Sequence, residues 1–411
     1  MTQVDNWKTK TYLFVIGQFF SLFGSAIVTY AMIWYISLKT GSGLWLTLGM
    51  IAANLPLALF APIAGTLVDK FNRKSLIMIS DGSIALLTLC TAVLFHFGFQ
   101  NIILLLVIST LRSIGQAIQQ SAGNALVQQI VPAEELTKIN GLFQGAQALI
   151  LILGPVIGGF VFGQFGLELT FYIDTATAFI ELSLLAFIFV PTIVREKKES
   201  TTLFTDFKDS IAYIKTSTLL KSMFVSSLVI FALLTPVAYL APLFIQRTFG
   251  ADVQLLSIGE LAWGLGSLVG SMLLMRLKIN NKIRTLVLSM IMFGVLTAII
   301  GFSPYFSMYV ILIALAGVFL PVMTTVLTVV LQENVEPAYM GRVFSLVMGI
   351  SSIMSPLAML VAGPLGDLVN IKWIYIVSSM LLIVYAFLLK RIDERRSFIP
   401  QENKQTADSL T

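Results

Sequence analysis

The sequence predicts an all-α membrane protein of twelve transmembrane helices in two pseudo-symmetric six-helix halves. Of its 411 residues, 57% are hydrophobic and only 11% are charged, whereas a soluble domain is about 45–50% apolar and about 25% charged. The mean hydropathy of +0.90 agrees. Apolar stretches of roughly 18 to 25 residues recur along the whole chain, each long enough to cross a hydrocarbon core of about 30 Å as a helix. A single long polar connection before the tail divides them six and six. Lipid offers no partner to a backbone amide, so each stretch is expected to be helical.

The spans are predicted near residues 12–37, 45–68, 75–97, 101–125, 141–164 and 169–190, then 222–246, 253–275, 285–303, 307–330, 343–365 and 372–390. The first follows "MTQVDNWKTKTY" without a small-residue cleavage pattern, so it is expected to be a true span. Basic residues are retained on the cytoplasmic side. With the N-terminus inside, 22 of the 26 Lys and Arg fall in cytoplasmic segments; Lys39, Arg247 and Lys372 fall outside, and Arg112 lies within a span. Both termini are therefore expected in the cytoplasm of a multi-pass cell-membrane protein. The net charge of +5 reflects this topology, and no nucleic-acid partner is implied.

The expected organisation is an N-terminal half over 1–190, a cytoplasmic linker over 191–221, a C-terminal half over 222–390 and a cytoplasmic tail over 391–411. Within the linker, "FKDSIAYIK" sets Phe207, Ile211 and Ile214 at helical spacing, as in a short amphipathic helix on the membrane surface. The halves also resemble each other. "GQFGLELTFYI" at 163–173 aligns with "GDLVNIKWIYI" at 366–376, and "VPAEELTKINGL" at 131–142 with "EPAYMGRVFSL" at 336–346. Similar offsets at equivalent places suggest a parallel duplication about an axis along the membrane normal.

The chain has one cysteine, Cys90, and one histidine, His96. That argues against a His/Cys metal site and against thiol or metal-hydrolytic enzyme chemistry. No cofactor is expected.

Charge concentrates in "GTLVDKFNRK", residues 65–74, between the second and third spans. Gly65 lets helices approach, Asp69 lies by a helix end, and Lys70, Arg73 and Lys74 face the cytoplasm. The stretch reads either as a charge latch between helix ends or as a positive-inside hinge. In span five, Gly141, Gly154, Gly158 and Gly159 with Pro155 make a smooth, kinkable face. The first stretch resembles the signature between spans two and three of the major facilitator superfamily, with Asn72 where glycine is usual. "GPVIGG" resembles that superfamily's antiporter signature, with Ile150 at a position usually glycine. Together with "NWKTKTY", "LRSIGQA" and "GRVFSL", these motifs resemble the macrolide efflux branch over nearly the full length. The resemblance implies gating roles for Gly65, Asp69 and Arg73, and a tie between Arg112 and proton coupling.

Ionisable residues inside spans cost roughly 2.5–3.5 kcal/mol each at a helix centre on insertion scales and are functional candidates by default. They are Asp81, Arg112, Asp174, Glu181 and Glu260. By helical rise Asp81 comes within reach of Arg112, while Asp174 and Glu181, seven apart, share a helix face. Each acid could carry a proton, recognise a cationic substrate, or hold a neighbouring helix by a hydrogen bond. Trp34, Tyr35, Phe143, Tyr239, Trp263 and Phe344 are candidates to line a cavity for a bulky apolar ligand. The resemblance implies a monomeric secondary transporter that exchanges protons for small amphiphilic drugs, macrolides foremost. Its alternatives are export of another amphiphile, such as a siderophore or peptide, and a non-transporting membrane partner of a separate ATPase.

Overall fold

A chain this apolar can satisfy its backbone in lipid only within helices, and no strand occurs among the described residues, 7–188, 211–215, 217–276 and 279–397 of the computed structural model. The helices are α1 (Trp7–Thr40), α2 (Gly43–Lys70), α3 (Arg73–His96), α4 (Ile102–Ile130), α5 (Leu136–Ala186), α6 (Thr218–Tyr239), α7 (Ala241–Thr248), α8 (Val253–Arg276), α9 (Lys282–Ile300), α10 (Phe306–Asn334), α11 (Pro337–Leu368) and α12 (Ile371–Ser397). Among the described residues, ten helical segments are long and apolar enough to cross a membrane. The polar turns between them are capped locally. Asn72, Asn101 and Asn281 each accept a hydrogen bond from the first turn of α3, α4 and α9, which satisfies an otherwise orphaned donor.

The α5 segment is broken at Gly166, whose φ of 80° and ψ of 176° lie outside the helical region. Only glycine takes that conformation readily, so the break falls between the predicted fifth and sixth spans. Of the predicted amphipathic linker helix, residues 211–215 are helical and Ile214 is buried; 207–210 lie outside the described residues. So do the first six residues and the tail beyond 397.

The chain divides into two compact units. One gathers α1 to α5 with Ala238–Gly264 and Ser355–Asn370. In it α1 packs on α5, α2 on α4, and α3 on both α4 and α5. Two apolar clusters form its core. One holds Phe14, Ile77, Leu126 and Leu185, and the other holds Val28, Phe95, Leu105 and Phe171. Along α1, α3, α4 and α5 the buried polar residues Gln18, Asp81, Arg112, Asp174 and Glu181 fall between these clusters in sequence. A polar layer is thus sandwiched between apolar ones.

The other unit is formed by Thr201–Val237, Leu265–Met354 and Ile371–Thr411. There α9 packs on α10 and α12. The Thr297 and Ser379 hydroxyls join at 2.7 Å, and the Tyr375 hydroxyl donates to the Val237 carbonyl at 2.8 Å. Lys282 pairs with Glu333 at 3.1 Å. Outward-facing side chains such as Ile79, Leu86, Phe160 and Val361 are more than 60% exposed, which suits a surface wetted by lipid.

Candidate functional site

The polar layer of the first unit is built by four helices. From α4, Arg112 reaches the Asp174 carboxylate of α5 and the Thr88 hydroxyl of α3 through Nη1, and approaches the Ser25 hydroxyl of α1 through Nη2 at 3.3 Å. Asp174 also accepts from Ser25 and from Thr88, each at 3.1 Å. Both ions are almost wholly buried. Such a pair is tolerable in a low-dielectric interior because its remaining sites are hydrogen-bonded. Arg112 therefore pairs with Asp174, where the sequence had set Asp81 within its reach.

Asp81 instead meets Glu181. Their carboxyls lie within hydrogen-bonding reach of each other, with 2% and 1% of their surfaces exposed. Gln18 Nε2 donates to Glu181 Oε1, and Ser21 of α1 lies close by. One oxygen on each acid, Asp81 Oδ2 and Glu181 Oε2, has no hydrogen-bond partner among the described residues.

Beside this layer lies a cavity of about 400 Å³. Its aromatic walls are Tyr30 and Trp34 of α1, Tyr239 of α6 and Trp263 of α8, and its amides are Asn54, Gln116 and Gln120. Glu260 of α8 also lines it, together with the Tyr30 and Tyr239 rings. No hydrogen bond or ion pair to Glu260 is formed among the described residues. Ser25 lines the cavity as well, so one hydroxyl joins its wall to the Arg112–Asp174 pair. Such a chamber suits a bulky amphiphile with a cationic group, because ring faces and a carboxylate both attract a cation.

The cavity therefore brings together Trp34, Tyr239, Trp263 and Glu260 of the predicted residues. Tyr35 packs instead against Phe95 and Phe162, Phe143 packs against Phe14, and Phe344 is partly buried on α11. Sequence reasoning missed Tyr30, Gln18, Asn54, Gln116 and Gln120. The missed signal was amides inside apolar spans, with Gln116 and Gln120 one helical turn apart.

Gly154, Gly158 and Gly159 let α5 pack closely against α1 and Ser257, behind the cavity wall. A Cβ at Gly154 would press on Ala26 at 3.2 Å, and one at Gly158 on the Ile27 backbone at 3.2 Å. One at Gly159 would overlap the Ser257 hydroxyl and the Trp34 ring. Pro155 is buried in the same stretch. Gly141 lines a separate apolar groove between α1 and α5, with open space around it.

In the charged stretch between α2 and α3, Arg73 is buried and donates to the Ala125 carbonyl at 2.7 Å and to Gln129 at 3.1 Å. Lys74 caps the carbonyls of Ala186 and Ile188 at 3.0 and 2.8 Å. Cations at helix C-termini are favourable. Asp69 and Lys70 end α2 and are exposed, and Gly65 has open space beside it.

A second polar knot, also unforeseen, centres on Asp367. Its carboxylate accepts from the Ser42 hydroxyl at 2.7 Å and from the Gly43 and Leu44 amides at 2.7 and 3.0 Å. Arg247 lies at 3.2 Å and also donates to the Gly366 and Gly41 carbonyls at 2.5 and 2.6 Å. Burial alone would raise the Asp367 carboxyl, but these donors and the guanidinium together hold it below its usual range.

Apolar helices around a buried polar layer and an aromatic chamber make the build of a multi-pass membrane transporter. The comparisons agree. Residues 8–407 match the family described as transmembrane secretion effector, and the chain belongs to that family, within the major facilitator superfamily. Macrolide efflux protein A of Streptococcus pyogenes is 29% identical over 96% of this chain and 99% of its own. Multidrug efflux pump Tap of Mycobacterium bovis is 24% identical over 88% of each. Among solved structures, a point mutant of the nucleoside transporter NupG superposes with a TM-score of 0.70 at 15% identity, covering 94% of this chain and 99% of that one. A bacterial homologue of the iron transporter ferroportin, in an inward-facing state, gives 0.69 at 16% identity, covering 93% and 98%. The protein is a membrane transporter and not an enzyme.

Proposed function

We propose that the protein exports amphiphilic drugs bearing a cationic amine, macrolide antibiotics first, in exchange for protons and by alternating access across the cell membrane. The observation that carries this reading is Glu260, a carboxylate with no hydrogen-bonding or ionic partner among the described residues, set in a chamber of aromatic rings and amides. A cation recruited there meets ring faces and a negative charge at once. The name of the Streptococcus pyogenes relative supports the substrate class, and buried acids beside an arginine pair support proton coupling.

The transporter works as twelve spans in two six-helix halves, with both termini cytoplasmic and the 191–221 segment joining the halves. The ten membrane-length segments support that count, together with the break at Gly166 inside one of them and the shorter apolar helix Ile353–Leu368. The residues of 65–74 act as the inner gate.

The test is uptake of radiolabelled erythromycin into energised inverted membrane vesicles. The expected result is uptake that depends on this chain and collapses with a protonophore. Uptake unaffected by the protonophore, or identical without the chain, contradicts the reading.

A further inference from the structure

We infer that Asp81 and Glu181 form a single proton-holding site, distinct from the cargo carboxylate Glu260, and that this pair carries the proton exchanged for cargo. The inference rests on the proton-coupled reading above and assigns its proton to a place. Asp81 of α3 and Glu181 of α5 are almost wholly buried, with their carboxyls in hydrogen-bonding reach.

The orphaned oxygens carry the argument. The protein supplies Glu181 with an amide donor from Gln18, yet among the described residues gives no donor to Asp81 Oδ2 or Glu181 Oε2. A buried acceptor without a donor is costly. Two facing carboxylates cannot both hold their charge in such a place, whereas one shared proton makes one of them a donor to the other. The two unsatisfied atoms therefore mark where a proton is held.

The charged groups facing the pair are few. From α5, Asp174 acts on Asp81, but its own charge is matched by Arg112 of α4 and by hydrogen bonds from Ser25 and Thr88. From α1 the pair meets the neutral Gln18 and Ser21. Arg112 is thus committed elsewhere and leaves the pair to be neutralised by protons. The exchanged step makes and breaks only an O–H bond, with water on either side of the membrane as source and acceptor.

The position also separates the two tasks. Glu260 lines the cavity, and neither Asp81 nor Glu181 does. Between them stands Ser25, which lines the cavity while bonding both Asp174 and Arg112. Cargo that moves Ser25 changes how fully Asp174 is compensated, and so changes the field at Asp81.

Purified full-length protein is tested in two ways. In infrared difference spectra taken across the neutral pH range, the wild type is expected to show the C=O stretch of a buried protonated carboxyl. That band should be lost in Glu181→Gln and in Asp81→Asn and kept in Glu260→Gln. Its absence from the wild type, or its persistence in both variants of the pair, overturns the inference without reference to transport. In proteoliposomes, the same pair variants should lose accumulation of labelled erythromycin driven by a pH gradient while retaining exchange of labelled for unlabelled erythromycin. Asp81→Asn serves if Glu181→Gln fails to elute as a monodisperse species. Accumulation driven by sodium instead of protons contradicts the assignment. A wild type with the infrared band but no erythromycin movement sinks the functional reading and leaves the proton site standing.

Discussion

At Glu260, one charge faces an aromatic chamber with no cation among the described residues to answer it. A hydrogen bond to a charged group contributes about 1.5–3 kcal/mol. Glu260→Gln should therefore weaken binding of a cationic macrolide roughly tenfold to hundredfold and leave a neutral analogue nearly unchanged, as measured by tryptophan-quenching titration through Trp34 and Trp263. Equal losses for both ligands would remove the carboxylate from recognition. Glycines in α5 give a second residue-scale contrast. Gly159→Ala drives a methyl into Ser257 and Trp34, and overpacking of that kind costs about 1–3 kcal/mol, so its thermal midpoint in detergent should fall. Gly141→Ala meets nothing within 4 Å and should match or exceed the wild type, since alanine is the better helix former.

Among the elements, the junction of α2, α7 and α11 shows one helix capped by another. Ser42 occupies the N-cap position of α2 but makes no cap hydrogen bond there; the Asp367 carboxylate takes the role, accepting the first amides of α2. Its pKa is lowered in the folded protein. The contact is therefore fully present above the unfolded value of about 4 and is lost only as pH falls through the lower folded one. Asp367→Asn should speed hydrogen exchange of the Gly43 and Leu44 amides at neutral pH, and the difference from wild type should vanish in strong acid. The Asp367 side chain is still 29% exposed, so solvent screening keeps the effect small, below about 1 kcal/mol. Unchanged exchange at neutral pH would deny the cap.

Helices were legible because lipid leaves an apolar run no other choice, and Gly166 stands between two such runs. Depth was legible too, since rise per residue is fixed. Azimuth was not: Asp81 and Arg112 were within reach by rise, yet the face of α3 turns Asp81 to Glu181 and gives Thr88 to Arg112. The cavity aromatics were partly legible, because Trp34 and Trp263 are of a kind with Tyr35 and Phe143, which pack against other rings away from the cavity. Amides such as Gln116 and Gln18 carry no charge and so escaped a search for ions. Asp367 lay beyond the predicted span, where a carboxylate is unremarkable until its partners are known.

For the molecule as a whole, the account requires that one chain suffice to couple proton and drug. A transporter moves cargo uphill only if both ligands bias the same two-state change, and here Ser25 links the aromatic cavity to the Arg112–Asp174 pair. The most direct measurement uses liposomes containing only the purified protein and a trapped pH-sensitive dye. Adding erythromycin without ATP or other proteins should produce a proton flux opposite to the drug, saturating with drug concentration and absent in Glu181→Gln liposomes. Erythromycin movement with no accompanying proton flux, or movement only when an ATPase is supplied, would contradict the account.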